Sequence, residues 1–403
     1  MRICMTAFEE VRDDPRIAKE ILTLRHMEHT VDLLCVRYSD SSEASYYGAM
    51  KHPIFVGNKK KGKLRFLRFY LRALFKAIRL RADVYHAQDL YTLPVAWIAA
   101  RWRSVRFIYD AHEYFPGTPS LVDRPLERGV WRAVERVFIR RADRVITVCD
   151  GIADRLREDY GIERPVVLRN LPMATSLRVD EHPTCGCGDS TQQRSSLLRD
   201  ISTIPDDRWI VLYQGALMQG RGLFTILDVF QRFLNDQYHL AVLGDGPLAS
   251  DLRKRVDLLG IEDRVTFFGQ IPMEQLPAYT ASADIGLCLI ENAGFSYLYS
   301  LPNKLFEYLA AGLPVVASDF PEIGRIVRRE DVGLLVDPGD PEAIEGAIMK
   351  LSDDALRRHF ALNARQAAQR YTWERESEYL IHLYRELEGD WSVGKYKRLS
   401  SFS

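Results

Sequence analysis

Short apolar runs alternating with helix-length segments constrain this chain more than any other feature. "RICMTAF", "TVDLLCV", "DVYHA", "VRFIYDAHE", "DRVITVC" and "PVVLRN" punctuate the first 170 residues. Helical patterns separate them, from Pro15 to about Met27, Leu93 to Arg101, Pro125 to Arg141 and Asp150 to Asp159. Strands that are apolar throughout, joined by helices of this length, belong to a parallel sheet covered on both faces. The same rhythm restarts after residue 208 with "WIVLYQG", "YHLAVLGDG", "RVTFFGQ", "ADIGLCLI", "LPVVASD" and "VGLLVDP". A length of 403 residues also exceeds one ordinary core. The sequence therefore predicts two doubly wound, Rossmann-like α/β domains, with the carboxyl ends of their strands facing a central cleft. Residues 1–172 form the first domain, 173–207 a linker or insertion, 208–372 the second domain, and 373–403 a C-terminal helix and tail.

Charge narrows the partners. Lys+Arg and Asp+Glu balance at 55 each, so nothing overall advertises nucleic acid. One segment departs from that balance: "KKKGKLRFLRFYLRALFKAIRLR", residues 59–81, carries ten Lys or Arg and no Asp or Glu. Leu64, Leu67, Leu71, Leu74 and Ile78 recur there at helical spacing, which predicts a buried stripe opposite a basic face. Such a helix suits the surface of an anionic membrane, where each basic residue is worth about 1 kcal/mol. No apolar run reaches the roughly 18 residues of a spanning helix, and the N-terminus reads as neither signal peptide nor anchor. Six cysteines are scattered, four of them within apolar runs, as in a reducing compartment. A cytoplasmic protein with peripheral contact at the inner face of the membrane is the expectation. "CGC", residues 185–187, lacks a second Cys or His pair at ligand spacing and predicts no metal site.

Candidate site residues follow strands. In "YQGALMQGRGL" the glycines at 215, 220 and 222 admit close approach of backbone amides to a ligand, Arg221 adds a cation, and a helix begins near Leu223. These favour a phosphate or diphosphate. "VLGDGP" and "FFGQIP" put Gly244 and Gly269 at strand ends, which alone is ordinary turn chemistry. "YDAHEYFP" places His112 and Glu113 after a strand of the first domain. In "SLPNKLFEYLAAGLPVV", Ser300 can cap a helix that Pro302 enters and Gly312 closes. Asn303 and Glu307 share a face with Lys304 beside them. A carboxylate buried there needs a partner, and the vicinal diol of a ribose is one.

In the order of these motifs the chain resembles the family 4 retaining glycosyltransferases of the GT-B architecture. "LPNKLFEYLAAGLPVVASDFPEIGRIV" and "GLLVDPGDPEAI" carry the likeness most specifically, and it extends over nearly the whole chain. The resemblance implies that Glu307 holds the nucleotide ribose, His112 contacts the donor sugar and Arg221 meets the diphosphate. It also implies that the backbone of Gly269, Gln270 and Ile271 borders the base, and that the C-terminal helix crosses back onto the first domain. Tyr299 and Ala216 depart from the family's usual glutamate and arginine. Lys304 is the candidate second cation on the diphosphate.

The expected reaction is transfer from a nucleotide sugar, UDP-linked, to a hydroxyl acceptor with retention and without a metal or other cofactor. The basic helix points to a lipid-linked or polysaccharide acceptor, and nucleic acid is not an expected partner. A nucleotide-sugar epimerase, a phosphorolytic enzyme and a non-catalytic nucleotide-sugar-binding subunit are the alternatives.

Overall fold

The computed structural model describes residues 1–11, 14–37, 45–56, 62–174, 197–202, 204–233 and 237–399. The "CGC" of residues 185–187, most of the 173–207 linker and Lys59–Lys61 of the basic segment lie outside them. Contacts divide the chain into one unit of Met1–Asn170 with Glu376–Ser403 and a second of Leu171–Arg375.

The first unit is built on eight strands: β1 (Arg2–Thr6), β2 (Thr30–Arg37), β3 (Ser45–Tyr46), β4 (Ala49–Phe55), β5 (Val84–Gln88), β6 (Arg106–Ala111), β7 (Arg144–Thr147) and β8 (Val166–Val167). Their order is β3-β4-β2-β1-β5-β6-β7-β8. Every pairing is parallel except β3 with β4. β5 is buried at every position, as strands covered by helices on both faces must be. The sequence did not reveal β3 or β4, because "AMKHPIF" mixes charge and proline into the run. Pro53 pairs with Cys35 of β2, while β3 reaches only Ala49 and Met50, so among the described residues the proline lies where β4 has no second neighbour.

The second unit holds β9 (Trp209–Gln214), β10 (Tyr238–Leu243), β11 (Val265–Gly269), β12 (Ile285–Cys288), β13 (Val315–Ser318) and β14 (Gly333–Val336). All pairings are parallel, in the order β11-β10-β9-β12-β13-β14. Alternate residues of β9 enter opposite cores: Ile210 and Leu212 join one cluster, Val211 and Tyr213 the other. Fully burying a side chain of this size contributes roughly 1.5–3 kcal/mol, so the period of two fixes the register firmly. The order of connection reverses beside β9, between β10 and β12, and beside β1, between β2 and β5. Ligands of doubly wound sheets bind at the carboxyl ends of strands at such reversals.

One expectation is overturned. The helix Gly62–Leu80 buries Phe69, Ala73, Ala77 and Leu80 rather than Leu67, Leu71, Leu74 and Ile78 of the leucine stripe; the Leu64 side chain lies outside the described residues. Leu67 and Leu71 are 55% and 64% exposed, Phe75 is 59% exposed, and Leu74 and Ile78 are half-buried. Apolar residues surround this helix between its cations, so spacing of three and four fits two stripes equally well. Small alanines let it approach the helix Leu93–Arg103, and that closeness decides which stripe faces inward.

Candidate nucleotide site

β9 ends at Gln214, and the chain leaves it through Gly215 at φ 128°. Gly244, just after β10, packs on that turn: a Cβ there would lie 2.0 Å from the Gly215 carbonyl oxygen. The Gly244 N–H donates to the Gly269 carbonyl at 2.7 Å, joining the ends of β10 and β11. Gln270 beyond it is exposed and Ile271 half-buried. Gly220 and Gly222 hold φ of 80° and 68°, and Gly222 opens the helix Leu223–Arg232. Between them the Arg221 guanidinium lies over the Tyr297 ring, 4.9 Å from its centre. Tyr299 stacks on Phe295 at 4.4 Å.

The helix Asn303–Ala311 supplies the side chains. Pro302 holds its N-cap position, and Ser300 donates to the Tyr297 carbonyl at 2.8 Å instead of capping. Gly312 ends it at φ 71°. The burial is the reverse of what the sequence suggests: Glu307 and Asn303 are half-buried, whereas Lys304 is 7% exposed. Among the described residues the Lys304 amine has no hydrogen-bond partner; it lies 3.7 Å from the centre of the Tyr213 ring and 3.5 Å from where a Cβ on Gly215 would be. It is thus aimed at the turn after β9. Burial pushes it down to about 7, and Arg221 acts in the same direction.

Gln214, which the sequence reading passed over, organises this edge. Its side-chain N–H donates to Glu307, its Oε1 accepts from Thr280 Oγ1 at 2.8 Å, and its backbone N–H donates to the Tyr308 hydroxyl at 3.1 Å. A lone polar residue closing the apolar run "WIVLYQG" was the available signal.

These residues meet at the carboxyl edge of the second sheet. His112 lies at the corresponding edge of the first, two residues after Asp110 of β6. Its Nε2 is 2.7 Å from Gln88 Oε1, and its backbone N–H donates to Asp89 Oδ1 at 3.3 Å. Asp89 holds a left-handed φ of 63°. Burial opposes the charge on His112, yet Asp89 and Asp110 outweigh it and raise the ring to about 10. Glu113 beside it is half-buried.

Parallel sheets with glycine turns and cations at a strand reversal define a pair of Rossmann-like domains of the GT-B type. A family profile described as "Glycosyltransferase Family 4" matches residues 19–170, and one described as "Glycosyl transferases group 1" matches residues 195–367. The chain belongs to the family 4 glycosyltransferases. Among curated relatives, the D-inositol 3-phosphate glycosyltransferase of Acidothermus cellulolyticus is 27% identical over 66% of this chain and 58% of its own. The alpha-D-kanosaminyltransferase of Streptomyces kanamyceticus is 23% identical over 93% of each. The alpha-monoglucosyldiacylglycerol synthase of Streptococcus pneumoniae is 26% identical over 66% of this chain and 60% of its own. Sucrose-phosphate synthase of Thermosynechococcus elongatus shares the fold at a TM-score of 0.75 and 20% identity, covering 96% of this chain and 99% of its own. So does Anabaena Alr3699/HepE in complex with UDP, at 0.71 and 17%, covering 96% and 100%.

Proposed function

We propose that the chain transfers a glycosyl group from a UDP-linked sugar to a hydroxyl acceptor, with retention at the anomeric carbon and without a metal ion. The observation that carries this reading is the buried Lys304 amine, without a hydrogen-bond partner among the described residues and aimed at the Gly215 turn. An amine in that setting costs free energy until an anion arrives, and a diphosphate is the anion that glycine turns and a helix N-terminus receive. Glu307 is positioned by Gln214 and accepts from the ribose hydroxyls, while Asn303 lies on the same helical face. The backbone of Gly269, Gln270 and Ile271 borders the base. The UDP complex of the Anabaena relative supports the choice of nucleotide.

As the glycosidic bond breaks, charge develops on the departing diphosphate. Arg221, Lys304 and the first amides of the helix Leu223–Arg232 meet it, so side chains and backbone fill the place a metal would take. Removing one such donor costs about 2–4 kcal/mol of barrier. His112, at the carboxyl edge of the first sheet, is the residue proposed to contact the transferred sugar. No protein nucleophile is assigned.

The acceptor is a glycolipid or polysaccharide precursor, in keeping with the lipid named by the Streptococcus relative. The helix Gly62–Leu80 carries Leu67, Leu71 and Phe75 outward among Arg68, Arg72, Lys76 and Arg79. That face suits peripheral attachment to an anionic, inner membrane surface. Among the described residues no helix is long and apolar enough to cross a membrane.

The test is a thermal-denaturation screen of UDP, GDP, ADP and dTDP. A ligand at 100 times its Kd stabilises by about 2.7 kcal/mol. UDP raising Tm most supports the reading; no shift with any of the four overturns it.

A further inference from the structure

The edge of the first sheet holds a chain of buried polar contacts that a sugar contact by His112 does not by itself require. Arg16 and Glu20 come from the helix Pro15–His26, His86 and Gln88 from β5, and Asp110 from β6. Each is at most 3% exposed. Arg16 donates from Nε and Nη2 to the two oxygens of Asp110, both at 2.8 Å. Gln88 Nε2 donates to Glu20 Oε2 at 2.7 Å, while Gln88 Oε1 faces His112 Nε2 at 2.7 Å. On the other side of the ring, Nδ1 stands 3.5 Å from Asp89 Oδ2.

An amide has one donating and one accepting end. Glu20 Oε2 takes the donating end, which leaves the Gln88 carbonyl turned toward the imidazole; burial and Asp110 push Glu20 up to about 8, and its neutral form still accepts there through its carbonyl oxygen. A ring with an amide oxygen on one nitrogen and a carboxylate near the other is satisfied only when both nitrogens carry hydrogen.

We propose that Gln88, clamped by Glu20, is a positioning residue that holds His112 as an imidazolium at the end of β6, each ring nitrogen donating. The bearing on catalysis rests on the role given to His112 above; the state of the ring does not.

The surrounding charges agree. Glu9 after β1, Arg16 and Glu20 from the first helix, His86 from β5, and Asp89 and Asp110 are the titratable groups around the ring. Burial and Arg16 oppose protonation, Asp89 and Asp110 favour it, and the carboxylates prevail. Glu20, His86 and Asp110 also offer atoms within 4.8 Å of one another, as a metal site would. Arg16 already spans both Asp110 oxygens, so the cation of this cluster is a guanidinium. A ring charged in this way is no general base. It presents a fixed positive charge and a fixed orientation before any substrate arrives.

Nitrogen-15 NMR of the His112 ring in the full chain tests the proposal. In the wild type both nitrogens remain protonated from roughly pH 6 to 9. In Gln88→Leu the ring loses its Nε2 acceptor and titrates lower than in the wild type, while Asp89 and Asp110 still hold it above the ordinary imidazole value. In that variant kcat for sugar transfer falls about 100-fold while KM for the donor holds, as misplacement of a catalytic group predicts. Glu20→Gln moves both readouts the same way by less, since an amide can present either end to Gln88. Should Gln88→Leu fail to fold, the wild-type spectrum and Glu20→Gln decide. A singly protonated wild-type ring at pH 8, with Gln88 donating to a bare Nε2, overturns the proposal. So does a folded Gln88→Leu variant whose ring titrates as in the wild type. If the ring behaves as proposed but no UDP-sugar is turned over, the positioning stands and the functional reading fails.

Discussion

Lys304→Met separates two quantities that usually fall together. The amine has no hydrogen-bond partner among the described residues, and leaving a buried donor unsatisfied costs about 1–3 kcal/mol. Methionine has similar length and no donor. Against the gain stands the lost contact with the Tyr213 ring, 3.7 Å away and worth about 1 kcal/mol. The unliganded variant should therefore be more stable by about 1 kcal/mol, a rise of roughly 2–4 °C for a domain of this size. Nucleotide affinity moves in the opposite direction. Two unit charges about 4 Å apart at an effective dielectric of 20 interact by about 4 kcal/mol. Arg221 shares the load, and protonating a buried amine takes back part of the gain. A net loss of about 2–4 kcal/mol follows, a weakening of UDP binding by roughly 30- to 700-fold. Calorimetric titration of UDP and thermal scans with and without it measure both. A Kd within twofold of wild type would remove Lys304 from the diphosphate site, and a variant that loses Tm without ligand would show that the buried amine carries no unmet cost.

Other outcomes follow from the same geometry. Burial lowers Lys304 to about 7, so its charge is gained as pH falls through that value; affinity for UDP-glucose should rise from pH 8 to pH 6 in the wild type and stay flat in Lys304→Met. A flat wild-type profile would remove the amine from the site. Glu307→Ala loses a charged acceptor and should cost about 1.5–3 kcal/mol of UDP affinity, with little further loss for 2′-deoxy-UDP; equal sensitivity to the deoxy analogue in both proteins would detach Glu307 from the ribose. The doubly substituted Leu71→Glu, Phe75→Glu should hold its Tm, since both positions are exposed, yet lose binding to phosphatidylglycerol vesicles in a flotation assay. Retained flotation would place membrane contact elsewhere.

The repeated strands were legible because burial on both faces forces continuous apolar runs, and all six in the second domain formed. β4 escaped because Lys51, His52 and Pro53 at a sheet edge break the pattern that a central strand requires. The helix Asn303–Ala311 was readable from its glycine stop, but which of its polar residues would be buried was not. Lys304 and Glu307 are three apart, and only packing against β9 turned the lysine inward. The leucine stripe misled for a related reason: a helix apolar nearly all round does not announce its inner face, and small alanines settled it. Gln214 and Gln88 could not be found by spacing, because each acts through a partner distant in sequence, Glu307 in one case and Glu20 with His112 in the other.

Group transfer from a nucleotide sugar can be observed outright. The direct measurement incubates the protein with UDP-glucose or UDP-galactose, diacylglycerol or a polyprenyl-phosphate-linked sugar in phosphatidylglycerol vesicles, and reads products by mass spectrometry and proton NMR. A hexose should be added to the acceptor, UDP released in equal amount, and the α configuration of the donor kept in the product. Epimerised donor formed without acceptor, or a β-linked product, would contradict a retaining transfer.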